Sequence, residues 1–156
     1  MKHPHAAKRA AFLLPALAAL LWGTAFPALA APEAANAPLP PVPAATSVES
    51  VASGLRLYAP EGSPVVAALD GVVVNEDPWG GPIGYYLELL SEDGTLCTYA
   101  HLSALSVEAG DSIEAGQEIG TVGTSGLAEA GRPLCRFTME KDGLSADLSA
   151  LVPEAG

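Results

Sequence analysis

His101 is the residue around which chemistry is most readily built. It closes the run Thr98-Tyr99-Ala100-His101 and is the one histidine beyond the first five residues. An imidazole can move a proton, hydrogen-bond an anion or hold a metal. Cys97 and Cys135 supply the only thiols, and Arg56, Arg132 and Arg136 supply planar cationic forks suited to carboxylates. Period-two alternation puts Cys97, Tyr99 and His101 on one face of a strand, with Leu96, Thr98, Ala100 and Leu102 on the other. Cys97 and His101 then stand roughly 13 Å apart along extended chain, too far to share one ion. A zinc site needs three or four deprotonated N, S or O ligands converging at about 2.0–2.3 Å, and this donor set does not reach that count. The sequence therefore predicts no metal and no other cofactor.

Short strands must position these residues. Gly54 to Ala59 alternates and ends in the turn Glu61-Gly62-Ser63-Pro64. Val65 to Leu69 reads as an apolar strand, Asp70-Gly71 as a tight hairpin turn, and Val72 to Val74 as the returning strand. A Gly/Pro-rich loop from Asp77 to Pro82 precedes a strand from Tyr85 to Leu90, and Ser91 to Gly94 turns into the strand that carries His101. Gly110-Asp111 and Ala115-Gly116-Gln117 punctuate a meander, and Leu134 to Glu140 is a further strand before the turn at Lys141-Asp142-Gly143. Strand-length runs separated by turn signals, with no helical period, predict an all-β domain over residues 47–156.

The N-terminal portion has a different composition. Lys2, Lys8 and Arg9 precede an apolar stretch from Ala10 to Trp22, and Ala28-Leu29-Ala30 supplies small residues at a cleavage site. This pattern predicts a signal peptide over residues 1–30, cleaved after Ala30, with the protein secreted or periplasmic and meeting the membrane only during export. Residues 31–46 are rich in Ala and Pro and read as a disordered linker without secondary structure.

Cleavage changes the electrostatics. Of 7 basic residues, Lys2, Lys8 and Arg9 leave with the signal, while all 18 acidic residues stay, so the mature charge is 4 − 18 = −14. So acidic a surface argues against nucleic acid as a partner. The oxidising compartment would allow Cys97 and Cys135 to pair. Against that, Cys135 alternates away from Leu134 and Arg136, and aligned strand faces would project the two thiols to opposite sides. The sequence leaves the disulfide open.

The run Gly54-x-x-x-x-Ala59-Pro60-Glu61-Gly62-Ser63-Pro64-Val65-x-Ala67-Ala68-x-Asp70-Gly71-Val72-Val73 resembles the first half of lysostaphin-type (LytM-like) zinc endopeptidases. Tyr99-Ala100-His101-Leu102-Ser103, Val107-x-x-Gly110-Asp111, Ala115-Gly116-Gln117-x-Ile119-Gly120 and Gly123-x-x-Gly126 resemble the second half. The resemblance covers residue 52 to about residue 140. It implies a two-sheet, mostly antiparallel β-domain of the duplicated-hybrid-motif type, with a groove across one sheet and bacterial peptidoglycan peptides as the substrate class.

The resemblance also implies where zinc would sit: at an H-x-x-x-D near the start and at the second histidine of a terminal H-x-H. Here those patterns fall on Ala52, Arg56, Leu134 and Arg136, leaving His101 at the catalytic Y-x-H position as a remnant. A guanidinium stays protonated in a protein and repels a cation. The resemblance without its ligands thus implies a non-catalytic pseudopeptidase that binds peptidoglycan or regulates an amidase-type cell-wall hydrolase. Its groove would carry Arg56, Tyr85, Tyr99, His101 and Arg136, with Trp79 and Tyr86 on the flanking loop and strand. Arginines at the former metal position are either drift or an anion site. Two other readings stand beside this one. An active metallopeptidase would need unorthodox ligands. Gly110 to Gly120 also resembles the hairpin of biotinyl/lipoyl-like domains, which would make the chain a structural adaptor without cofactor, since Lys141, the one lysine beyond residue 30, lies outside that hairpin.

Overall fold

The alternating run around Tyr99 forms the central strand of an antiparallel sheet. In a computed structural model, which describes residues 37–127 and 131–153, ten strands follow one another. They are β1 (Ser47–Val51), β2 (Gly54–Tyr58), β3 (Pro64–Val66), β4 (Gly71–Asp77) and β5 (Tyr85–Leu90). Then come β6 (Leu96–Leu105), β7 (Ser112–Ile113), β8 (Glu118–Val122), β9 (Leu134–Lys141) and β10 (Leu144–Ser145). The main path runs β1-β2-β9-β6-β5-β4-β7, with β10 on β9 and a β3–β8 branch joined through β6. The fold is all-β and antiparallel, as the strand-and-turn pattern predicts. The predicted signal peptide and residues 31–36 of the predicted linker lie outside the described residues.

One face of the β2–β9–β6–β5 sheet makes the core. Leu57 lies opposite Cys135, Leu55 opposite Phe137, Phe137 opposite Tyr99, and Tyr99 opposite Leu87, all buried. The Tyr99 and Phe137 rings pack with centroids 5.1 Å apart. Aromatic pairs at such separations add to the burial of their own area. The Tyr99 hydroxyl accepts a buried hydrogen bond of 2.9 Å from the Ala68 N–H, which ties β6 to the segment after β3.

Four details differ from the sequence reading. First, Val65–Leu69 and Val72–Val74 do not form a hairpin about Asp70-Gly71. β3 pairs with β8, and β4 pairs with β5 and β7, while the Asp70 carboxylate accepts from the Ala115 N–H at 2.7 Å. Second, residues 47–51, given no strand by the sequence, are β1, joined to β2 through the two-residue turn Ala52-Ser53. Third, Cys97 and Cys135 both point into the core and are free thiols. Cys97 lies opposite Met139, four residues along β9 from Cys135, and about 13 Å of strand separates them.

The fourth correction concerns the linker. Residues 37–46 form neither strand nor helix, as expected, but they lie against the domain. Val42 is 2 % exposed and belongs to the core cluster. The Leu39 N–H donates to Ala68 O, the Val66 N–H to Pro41 O and the Thr46 N–H to Tyr58 O, at 2.8–2.9 Å.

Candidate functional site: a basic cavity on the outer face

The site begins with a break in β6. Tyr99 and Leu102 both face the core, so two residues, Ala100 and His101, must fit between them on the outer side. The chain does this by holding His101 at φ 64, a left-handed conformation that costs a non-glycine residue on the order of 1–2 kcal/mol. The ladder shifts register here: residues up to Ala100 pair with β9, and residues from Leu102 pair with β8. The break turns the imidazole from the face of Cys97 and Tyr99 to the opposite one. Simple alternation had placed it wrongly.

Ser125 holds the histidine in place. Its carbonyl accepts from His101 Nδ1 at 2.9 Å. Because a carbonyl can only accept, Nδ1 carries the proton, and in the neutral ring the lone pair sits on Nε2. The Ser125 hydroxyl donates to Leu102 O at 2.6 Å and accepts from the Tyr85 N–H at 2.9 Å. Gly84 and Gly126, both at positive φ, let the two loops touch backbone to backbone; a Cβ on either would collide with the other loop. The Leu127 N–H donates to Pro82 O at 2.7 Å across the same seam.

On the outer face β1, β2, β9 and β6 align one row of cross-strand partners: Glu49, Arg56, Arg136 and Ala100. Arg56, Arg136 and His101 line a cavity of about 190 Å³. Its remaining wall is apolar, made by Pro82, Ile83, Leu127 and Leu134. His101 is only 5 % exposed. Arg56 Nη1 lies 3.8 Å from Glu49 Oε2, and Arg136 Nη2 donates to Ser53 Oγ. Arg132 stacks over the Tyr58 ring, 4.2 Å from its centroid, and the Tyr58 hydroxyl donates to Glu49 at 3.0 Å. Burial first, then the Glu49 carboxylate, hold the Tyr58 phenol above its ordinary range.

The structure therefore brings together Arg56, His101, Leu134 and Arg136, but not the rest of the predicted groove. Tyr99 is 0 % exposed and faces the core, a correction that follows from the break at His101. Tyr85 packs against the core and reaches the site only through its backbone N–H. Ala52 sits in the β1–β2 turn, outside the cavity lining, and Trp79 stands 84 % exposed on the loop before Pro82. Glu49, Tyr58 and Ser125 were missed. Reading Ala52-Ser53 as a two-residue turn would have set Glu49 opposite Arg56, and Ser125 lies inside the Gly123-x-x-Gly126 signature.

A zinc ion does not fit these residues. Two permanent cations face the space, Leu134 has no donor atom, and His101 offers a single nitrogen. Among the described residues no three His, Cys, Asp or Glu side chains converge to hold a metal. The thiols contribute nothing here, since burial pushes both Cys97 and Cys135 up to about 12. Chemically the cavity can receive an anion: two guanidinium forks and one imidazole converge beside an apolar wall.

This antiparallel all-β domain has the fold of the lysostaphin-type peptidase domains. The chain matches Peptidase family M23 over residues 50–148 and belongs to that family. It is 34 % identical over 100 residues to the stage II sporulation protein Q of Bacillus subtilis, covering 62 % of this chain and 34 % of that one. It is 33 % identical over 73 residues to the cell division protein DipM of Caulobacter vibrioides, covering 47 % and 12 %. The chain thus spans about a third of the length of one of these relatives and about an eighth of the other. Among solved structures, the SpoIIQ–SpoIIIAH pore forming complex aligns with a TM-score of 0.59 at 28 % identity, over 67 % of this chain and 70 % of that one.

Proposed function

We propose that this chain is an exported, non-catalytic member of Peptidase family M23 that binds peptidoglycan or regulates an amidase-type cell-wall hydrolase. The observation that carries the reading is the placement of Arg56 and Arg136 side by side in the cavity where the family resemblance implies a metal. Charged forks in that position cannot ligate zinc, yet they suit a carboxylate-bearing ligand. The relatives support a role by association: one is a cell division protein, and another is part of a complex with a second protein. Residues 1–30 act as a signal peptide in this reading, and residues 37–46 belong to the folded domain. No helix among the described residues is long and apolar enough to cross a membrane.

The test is elemental analysis of the purified chain together with incubation on isolated cell walls. The expected result is sub-stoichiometric zinc, no release of wall fragments, and co-sedimentation with the walls or capture of an amidase. One tightly held zinc per chain accompanied by wall turnover would overturn it.

A further inference from the structure

We infer that the cavity between Arg56, Arg136 and His101 receives the free carboxylate of a peptide end that carries a small apolar side chain. This inference rests on the non-catalytic reading above and specifies what its site would hold. Three features of the cavity define the ligand. Arg56 and Arg136 are cross-strand partners, and like charges placed directly opposite one another destabilise a sheet. Glu49 lies 3.8 Å from Arg56 and Arg136 donates to Ser53, and a further carboxylate in the cavity adds charge-assisted contacts to forks whose planes match its two oxygens. His101, held by its Nδ1–Ser125 bond, lines the same cavity and adds a polar ring to it.

Size and polarity narrow the choice further. A volume of about 190 Å³ is roughly six water volumes at about 30 Å³ each, room for a carboxylate and one small side chain. Pro82, Ile83, Leu127 and Leu134 complete the lining, and an inorganic anion would leave these apolar groups without a partner. A terminal alanine-like residue satisfies both halves. Such an end occurs on protein chains in the L form and on wall peptides in the D form; the shared chemistry is the same.

The probe is N-acetyl-alanyl-alanine, titrated in its L and D forms into the labelled full chain while the His101 ring and arginine Nε–H resonances are followed. Saturable binding of either form, with the C-terminal amide at least about tenfold weaker, is expected, because a charge-assisted contact is worth that factor or more. Arg56→Gln/Arg136→Gln weakens the acid by at least about tenfold and leaves the amide unchanged, with thermal unfolding checking that the variant is folded. Arg136→Lys, which keeps the charge but loses the fork, falls between. Equal affinity for acid and amide, no saturation with either form, or wild-type affinity in the folded double variant would each overturn the site. Wall co-sedimentation of the same preparations separates the two readings: a double variant that sediments like wild type overturns the carboxylate site and leaves wall binding standing.

Discussion

On the inner face of β2, β9 and β6, Leu57 faces Cys135 and Phe137 faces Tyr99, all of them sealed from solvent. On the outer face the same strands set Arg56 opposite Arg136 and hold His101 in a left-handed conformation. The inner face is locally consistent: every pair is apolar, and the one buried phenol has its partner. The outer face carries a like-charge pair and a strained residue. Neither feature helps folding, and both are placed at a cavity. The inner face holds the apolar packing and the outer face the proposed site, so the two should respond to substitution in opposite ways.

The largest effect belongs to the inner face. Phe137→Ala removes a fully buried ring from the Tyr99 contact and should cost about 3–5 kcal/mol in denaturant unfolding. A loss below about 1 kcal/mol would mean that the inner face is not the source of stability.

Next is the N-terminal segment. Deleting residues 31–46 removes Val42 from the core together with the Leu39 and Pro41 hydrogen bonds, and should cost about 2–4 kcal/mol. Unchanged thermal stability would return the segment to the status of a tether. Pro and Ala dominate its composition, and composition alone reads as a tether. What it could not see is that a proline-rich extended strap can still hand one valine and three backbone groups to its host.

The inner thiols give a pH-dependent effect of intermediate size. Burial raises both from the ordinary 9.0 to about 12 in the folded state. A folded-state pKa above the unfolded one gives stability that is complete below about pH 9 and lost as the pH climbs toward 12. Thermal midpoints should therefore decline across that window, and Cys97→Ala/Cys135→Ala should flatten the decline even if its neutral-pH stability is lower. Thiol reagents at pH 8 should label the native chain far more slowly than the unfolded one. An alkaline decline identical in the double variant would assign it to other groups.

How much of each face was legible follows from its physics. Alternation recovers β2, β5, β9 and the inner half of β6, because burial enforces a period of two. The family signature located Arg56, Leu134, Arg136 and His101, and these do converge on one cavity. Alternation failed where the backbone departs from it. The break at His101 sent Tyr99 inward and the imidazole outward, and a left-handed histidine carries no signal in composition. Strand pairing failed at Asp70-Gly71, where a convincing hairpin dipeptide serves a crossover between strands that never meet. Cys135 was misplaced because its face was inferred relative to Cys97 without knowing the register between β6 and β9.

The smallest expected effect is the most discriminating for the outer face. Arg56 and Arg136 are direct partners on adjacent strands, where Cα atoms approach to about 5 Å. Glu49 at 3.8 Å from Arg56 offsets part of their repulsion, and both cations are partly solvated, so the residual coupling should be modest. A double-mutant cycle of Arg56→Gln and Arg136→Gln should show an unfavourable wild-type coupling of about 0.3–1 kcal/mol at low salt. Salt should shrink it, since the screening length falls from about 10 Å at 0.1 M to about 3 Å at 1 M. Saturating N-acetyl-alanyl-alanine should reverse its sign, because the bound carboxylate makes each arginine more valuable in the presence of the other. A coupling that is zero at low salt and unmoved by the peptide would place both arginines among ordinary solvated surface residues, and the contrast between the two faces would reduce to burial alone.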